Sequence, residues 1–284
     1  MPFYLFRNLR WVAMTIALGI GANQFYAMAL VWPQMVKSLW PVTGDGYAWI
    51  AAVPGMCLIV GQTCGGFLAN FINPRFIIIS GTLVGTAFIG GAACANENNF
   101  TTVLILVVLG YFMIGFQEAI CGTLATISLR DQKDIGTGGG LAATMRSGIS
   151  ALGSAVYGAV LRNSLSKEIP KVVPAAAIAA GLPASSVAAL IPMLQGGAQP
   201  TGGVPGLTPE ILEVATHAYR AAASIAFRNV MLTSFAFGTV SMVCAWFAPA
   251  VDEAKKGIVS RTLRKHSGKE PVEEGREKAV FEST

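Results

Sequence analysis

The chain has 284 residues, 53% hydrophobic and 12% charged, with a mean hydropathy of +0.57 and a formal net charge of +5. An ordinary soluble domain carries about 25% charged residues, and several apolar runs here reach the roughly 20 residues that a spanning helix needs. These features exclude a soluble domain or a nucleic-acid binder. They predict an all-α polytopic membrane protein whose partner is the lipid bilayer and whose cations report topology.

Taken in order, residues 1–10 form a cytoplasmic lead-in with Arg7 and Arg10. The first span is expected over Trp11 to Met35, with Asn23 and Gln24 near its middle and Pro33 near its far end, where a kink is tolerated. The second runs over Tyr47 to Phe71, with Gln62 inside it and Gly61, Gly65 and Gly66 crowded together. Small residues let helices approach closely in lipid. The turn Asn73-Pro74-Arg75 leads to a third span over Phe76 to Cys94, with a GxxxG pair at Gly81 and Gly85. Asn99-Phe100-Thr101 has the form of a glycosylation sequon but lies against the membrane. The fourth span covers Thr101 to Ile127 and contains Gln117 and Glu118. The glycines from Gly136 to Gly140 lack the GK[ST] of a phosphate loop and read as a hinge into a fifth span over Gly139 to Leu161.

Residues 162–226 are expected to be a long extracellular loop with short helices, because prolines recur through it. Within it Val172 to Leu194 is apolar enough to cross, but three prolines and Gly181 argue against that. Thr208-Pro209-Glu210 marks a helix start, with an N-cap, a proline at the first helical position and an acid in the first turn. That helix is expected to lie on the membrane surface through His217 and Arg220, His217 being a surface residue. The sixth span is placed over Asn229 to Val251, and residues 252–284 form a charged cytoplasmic tail expected to be disordered. Six spans put both termini on one side. Arg7, Arg10, Arg75, Arg130, Lys133 and the run Lys255 to Lys269 share that side, and the opposite short links carry Asp45 and Glu97 without a cation. The positive-inside rule makes that side cytoplasmic.

No metal site or cofactor is expected. The five cysteines show no CxxC spacing and read as small core residues, and His217 and His266 both lie outside the spans. A membrane enzyme built on a metal cluster therefore has no donor set. The chemistry lies in the charges at membrane depth. A charge at mid-bilayer costs roughly 2.5–3.5 kcal/mol on insertion scales, so it normally faces a bundle interior or a water path. Glu118, past the middle of the fourth span, and Arg146, before the middle of the fifth, both fall about 6 Å to the cytoplasmic side of the midplane at 1.5 Å per residue. Equal depth on consecutive helices predicts a pair. It is either a static tie or a site that changes protonation or partner. Gln117, Gln62, Asn23 and Gln24 are further candidates to line a polar path, or else to form interhelical hydrogen bonds worth about 0.6 kcal/mol each. Phe25, Tyr26, Phe112 and Phe116 fit packing or lipid contact better than substrate stacking.

Several stretches carry a family likeness: VWPQMV (Val31 to Val36), GQTCGGFLANFINPRF (Gly61 to Phe76), FMIGFQEAICG (Phe112 to Gly122), the run from Leu129 to Leu161, and VPGLTPE (Val204 to Glu210). Together they resemble the major facilitator superfamily, in its fungal fourteen-span drug:proton antiporter branch, nearest the trichothecene-efflux and siderophore-transporter-like members. The resemblance implies a six-helix bundle equivalent to the C-terminal half of that fold. It also implies a plasma-membrane protein that exports or exchanges small organic molecules such as toxins, drugs or siderophores against protons. The chain is then a half that needs a missing N-terminal half or a second copy. A second reading makes it a non-transporting, receptor-like or regulatory subunit.

Overall fold

A computed structural model describes residues 3–42, 44–129, 134–195 and 204–248. Arg130, Lys133 and the whole tail from 252, His266 included, lie outside the described residues, so the expectations placed on them go no further here.

Seven α-helices are described: α1 Leu9–Leu39, α2 Asp45–Leu68, α3 Pro74–Gly91, α4 Phe100–Ile127, α5 Ile135–Ala179, α6 Val187–Leu194 and α7 Pro209–Trp246. Their starts follow capping chemistry. The Asn8 side chain accepts from the Trp11 amide, Asn73 precedes Pro74 and accepts from the Arg75 amide, and Thr208 precedes Pro209 and accepts from the Ile211 amide. Each satisfies a backbone donor that the first helical turn leaves free. Gly44, at φ 64, supplies the left-handed residue that turns the chain into α2.

Five of these elements are long and apolar enough to cross a membrane: α1, α2, α3 with its short 3-10 extension to Cys94, α4 and α7. α5 is the longest helix, at 45 residues, but glycines, serines and Arg146 dilute its apolar stretch. α1 and α4 touch at the centre. α2 packs on both, α3 lies between α4 and α7, and α5 lies between α1 and α7. α1 is mostly buried and α2 mostly exposed.

Two expectations about the second half of the chain are corrected. α5 does not stop near Leu161. It continues to Ala179 through Pro170 and Pro174, because Ile169, Val173 and Ala177 recur every fourth residue on a buried stripe, and burial of that stripe offsets the missing backbone bonds. The segment from Thr208 is not a separate surface helix either. α7 runs unbroken from Pro209 to Trp246. Residues 221–228 contain no glycine or proline to break it, and Ala222, Ala223, Ala226 and Phe227 are all buried. The connection between the two long helices is therefore residues 180–208, not 162–226. Within it Gly181, at φ 103, reverses the chain, so 172–194 is not one continuous helix. Leu182, Val187, Leu190 and Val204 pack with Ala177, Ile211 and Ala215 into a small apolar core of their own.

Side-chain ties mark two ends of the bundle. At one, Tyr4 Oη donates to Asp134 Oδ1 (2.5 Å), Asn8 Nδ2 donates to the Ser128 carbonyl (3.1 Å), and Arg75 donates through Nε and Nη2 to the Ala248 carbonyl (3.1 and 2.6 Å). At the other, Trp40 Nε1 donates to the Asn96 carbonyl (3.1 Å) and Trp32 Nε1 to that of Ile50 (2.8 Å). α1, α3 and α5 thus run one way and α2, α4 and α7 the other. The Asn99 carboxamide is used within its own turn. Its oxygen accepts from the Asn96 amide (2.8 Å) and its nitrogen donates to the Cys94 carbonyl (2.7 Å). Among the cysteines, Cys121 and Cys244 are buried as expected, whereas Cys64 and Cys94 are exposed.

Candidate functional site: a carboxylate buried in the bundle

α4 is held in place by glycine contacts. A Cβ on Gly61 of α2 would lie 2.1 Å from the Phe112 carbonyl oxygen, and one on Gly115 of α4 would lie 2.4 Å from that of Leu58. The two backbones meet where any side chain would part them. The GxxxG pair of α3 does the same on the other side, with Gly81 against Met113 and Gly85 against Ile114. α4 is thereby fixed in rotation, and Glu118 is aimed inward beside Gly21 of α1.

Glu118 is 3% exposed. Its two oxygens have different partners. Oε1 accepts from Arg146 Nε (3.0 Å) and forms an ion pair with Arg146 Nη2. Oε2 accepts from Gln62 Nε2 (3.2 Å). The pair expected from depth alone is therefore present, and Gln62 completes it. The Arg146 side chain is 30% exposed, and its guanidinium lies over the Tyr26 ring, 5.9 Å from the centroid. That is within cation–π range. One acid, one base, one carboxamide and one aromatic ring thus converge from α4, α5, α2 and α1. The acid is sealed, while the arginine and Tyr26 open outward.

The remaining candidates separate from this cluster. Gln117 points the other way, where Nε2 donates to the Ala17 carbonyl (3.0 Å) and to Ser241 Oγ (2.6 Å), joining α4 to α1 and α7. Asn23 is fully buried against Gly153 of α5, and neither end of its carboxamide has a partner among the described residues. Gln24 offers its backbone carbonyl to Tyr111 Oη (3.0 Å), and its side-chain nitrogen is unpartnered. Phe112 and Phe116 stack edge-on against each other.

Sequence reasoning did not find Tyr26 as a partner of Arg146, Gly153 as the neighbour of Asn23, or Ser241 as the anchor of Gln117. All three depend on helix rotation, which spacing along a uniformly apolar helix does not specify. His217 is exposed as expected but not idle. Its Nε2 lies 2.6 Å from Glu97 Oε1, with Arg220 Nη1 at 3.9 Å from the other oxygen. His217 and Arg220, three residues apart on α7, thus clasp the acid in the α3–α4 link.

A helical membrane protein with an arginine-held carboxylate inside its bundle belongs, by fold and site, among polytopic proteins with a charged intramembrane centre. Residues 1–277 match the family described as fungal trichothecene efflux pump (TRI12), and the chain belongs to that family. It is 27% identical over 264 residues to the MFS-type transporter prx5 of Penicillium rubens, covering 88% of this chain and 47% of that protein. It is 22% identical over 251 residues to the trichothecene efflux pump TRI12 of Fusarium sporotrichioides, covering 86% and 42%. The chain thus spans less than half the length of these curated relatives. No solved structure matches it.

Proposed function

We propose that this chain is the six-span half of a major facilitator pump that moves small organic molecules, of the toxin, drug or siderophore kind, out of the cell against protons. α5 is the sixth crossing in this reading, and both termini lie on the cytoplasmic face of the plasma membrane. The other half of the pump comes from a second six-helix unit or a second copy.

The observation that carries the reading is the Glu118 centre. The carboxylate is buried and both oxygens are engaged, yet its principal partner is partly open. In alternating access, a proton arriving on Glu118 frees Arg146, and a departing proton restores the pair. The carboxylate then needs no second cation to return to its starting state. Gln62 and Tyr26 are polar and aromatic groups beside the switch that an oxygen-rich substrate can meet. Asn23 and Gln24 supply buried donors and acceptors deeper in the same helix. Gln117 serves the frame.

The test is a chimera in which the matching segment of the Fusarium pump is replaced by this chain. Vesicles carrying it are expected to release a trichothecene when a proton gradient is imposed, and vesicles carrying the Glu118→Gln chimera, present at equal level, are expected not to. Unchanged gradient-driven release from the Glu118→Gln form removes Glu118 from the mechanism.

A further inference from the structure

One groove lies well away from the Glu118 centre. It has a volume of about 490 Å³ and sits between the 3-10 turn after α3 and the middle of α7, lined by Ala93, Cys94, Asn96, Ile225, Arg228 and Leu232. We propose that it binds a glycerophospholipid, with the phosphate on Arg228 and an acyl chain running from Leu232 down α7.

The level of the groove follows from two helices. α3 with its extension is long and apolar enough to cross a membrane and ends at Cys94, which puts Ala93 and Cys94 at a bilayer boundary in this proposal. From Arg228 to Trp246 α7 rises about 27 Å at 1.5 Å per residue, close to the ~30 Å of a hydrocarbon core. Both measures put Arg228 where headgroup phosphates lie. Arg228 is exposed and has no acidic partner among the described residues. Glu97, in the same link as Asn96, is engaged by His217 and Arg220 and does not compete. Ser224 Oγ donates to the Ala221 carbonyl, which leaves Arg228 as the strong donor in the groove.

The walls distinguish a lipid from a free anion. On the bilayer side of Arg228, Leu232 is 43% exposed, and the apolar strip continues down α7 through Phe235 and Val243. Inorganic phosphate gains nothing from that strip. An acyl chain buries against it at roughly 25 cal/mol per Å², while a guanidinium on a phosphate forms a charge-assisted, bidentate hydrogen bond.

The full chain, purified in mild detergent and given phosphatidylglycerol, is to be weighed intact by native mass spectrometry. Arg228→Gln is expected to lower the lipid-bound fraction about tenfold, and Ile225→Trp, which fills the groove and keeps the arginine, is expected to lower it as well. Arg162→Gln, an exposed arginine on α5 that does not line the groove, is expected to leave it unchanged. Equal retention by Arg228→Gln and Arg162→Gln overturns the proposal, as does displacement of the lipid from the unaltered chain by an equal concentration of inorganic phosphate. Helicity is checked for each variant by circular dichroism. If Arg228→Gln fails to fold, Ile225→Trp and the phosphate competition decide the matter.

Discussion

Glu118 owes its stability to a division of labour between its oxygens, one on Arg146 and one on Gln62. Removing a partner from a buried ion pair costs far more than removing the pair, because a lone charge is left without solvent. Arg146→Ala is therefore expected to lower stability by about 3 kcal/mol or more, read as a lower thermal midpoint in detergent. Glu118→Gln combined with Arg146→Gln is expected to be less harmful than Arg146→Ala, since two neutral carboxamides can still bond each other. A double variant as damaged as the single would mean that the loss comes from packing and not from a stranded charge. Gln62→Ala removes one neutral donor and is expected to cost about 0.6 kcal/mol, the usual size of a hydrogen bond between membrane helices.

Among elements, the contact of α2 with α4 fixes the site, because it sets the rotation of the helix that carries Glu118. Gly61→Ala places a methyl 2.1 Å from a backbone oxygen, where no flexible side chain can yield. It is expected to cost about 1–3 kcal/mol and to loosen the Glu118–Arg146 pair. Gly66→Ala, five residues on, meets nothing within 4 Å and is expected to stay within about 0.5 kcal/mol of the unaltered chain. Thermal unfolding of the two variants side by side checks both. The same helices show what a sequence can convey. α3 and α4 were legible almost to the residue, because Asn73-Pro74 and the asparagines before Phe100 punctuate the chain. The ends of α5 and α7 were not. Proline in α5 and the charges of α7 look like breaks, but long-range packing of Ile169 and Val173, and of Ala222 and Ala226, overrides local propensity. The Glu118–Arg146 pair could be read from depth alone. Gln62 and Tyr26 could not be assigned to it, because their placement depends on how four helices are rotated about one another.

For the whole molecule, the described residues put Arg7, Arg10 and Arg75 at one end of the bundle. Asp45 and Glu97 lie at the other, together with the outer parts of α5 and α7. Those outer parts carry Arg162, Lys167, Lys171 and Arg220, so cations are not confined to one end. The short links bear the topological signal, because the rule counts loops near the span ends. In a background without the native cysteines, Asp45→Cys and Asn98→Cys are expected to react with an impermeant maleimide on intact cells. Phe71→Cys is expected to react only after permeabilisation. The reverse pattern would invert the bundle and place the opening toward Arg146 in a different compartment sense. The measurement closest to the central claim is proton movement itself. Proteoliposomes carrying the Fusarium chimera and an internal pH-sensitive dye are given substrate under an imposed proton gradient, with and without Glu118→Gln. Substrate-dependent proton flux that disappears in the Glu118→Gln form, with substrate binding retained, is the predicted result. Proton flux of equal size in both forms would contradict the account.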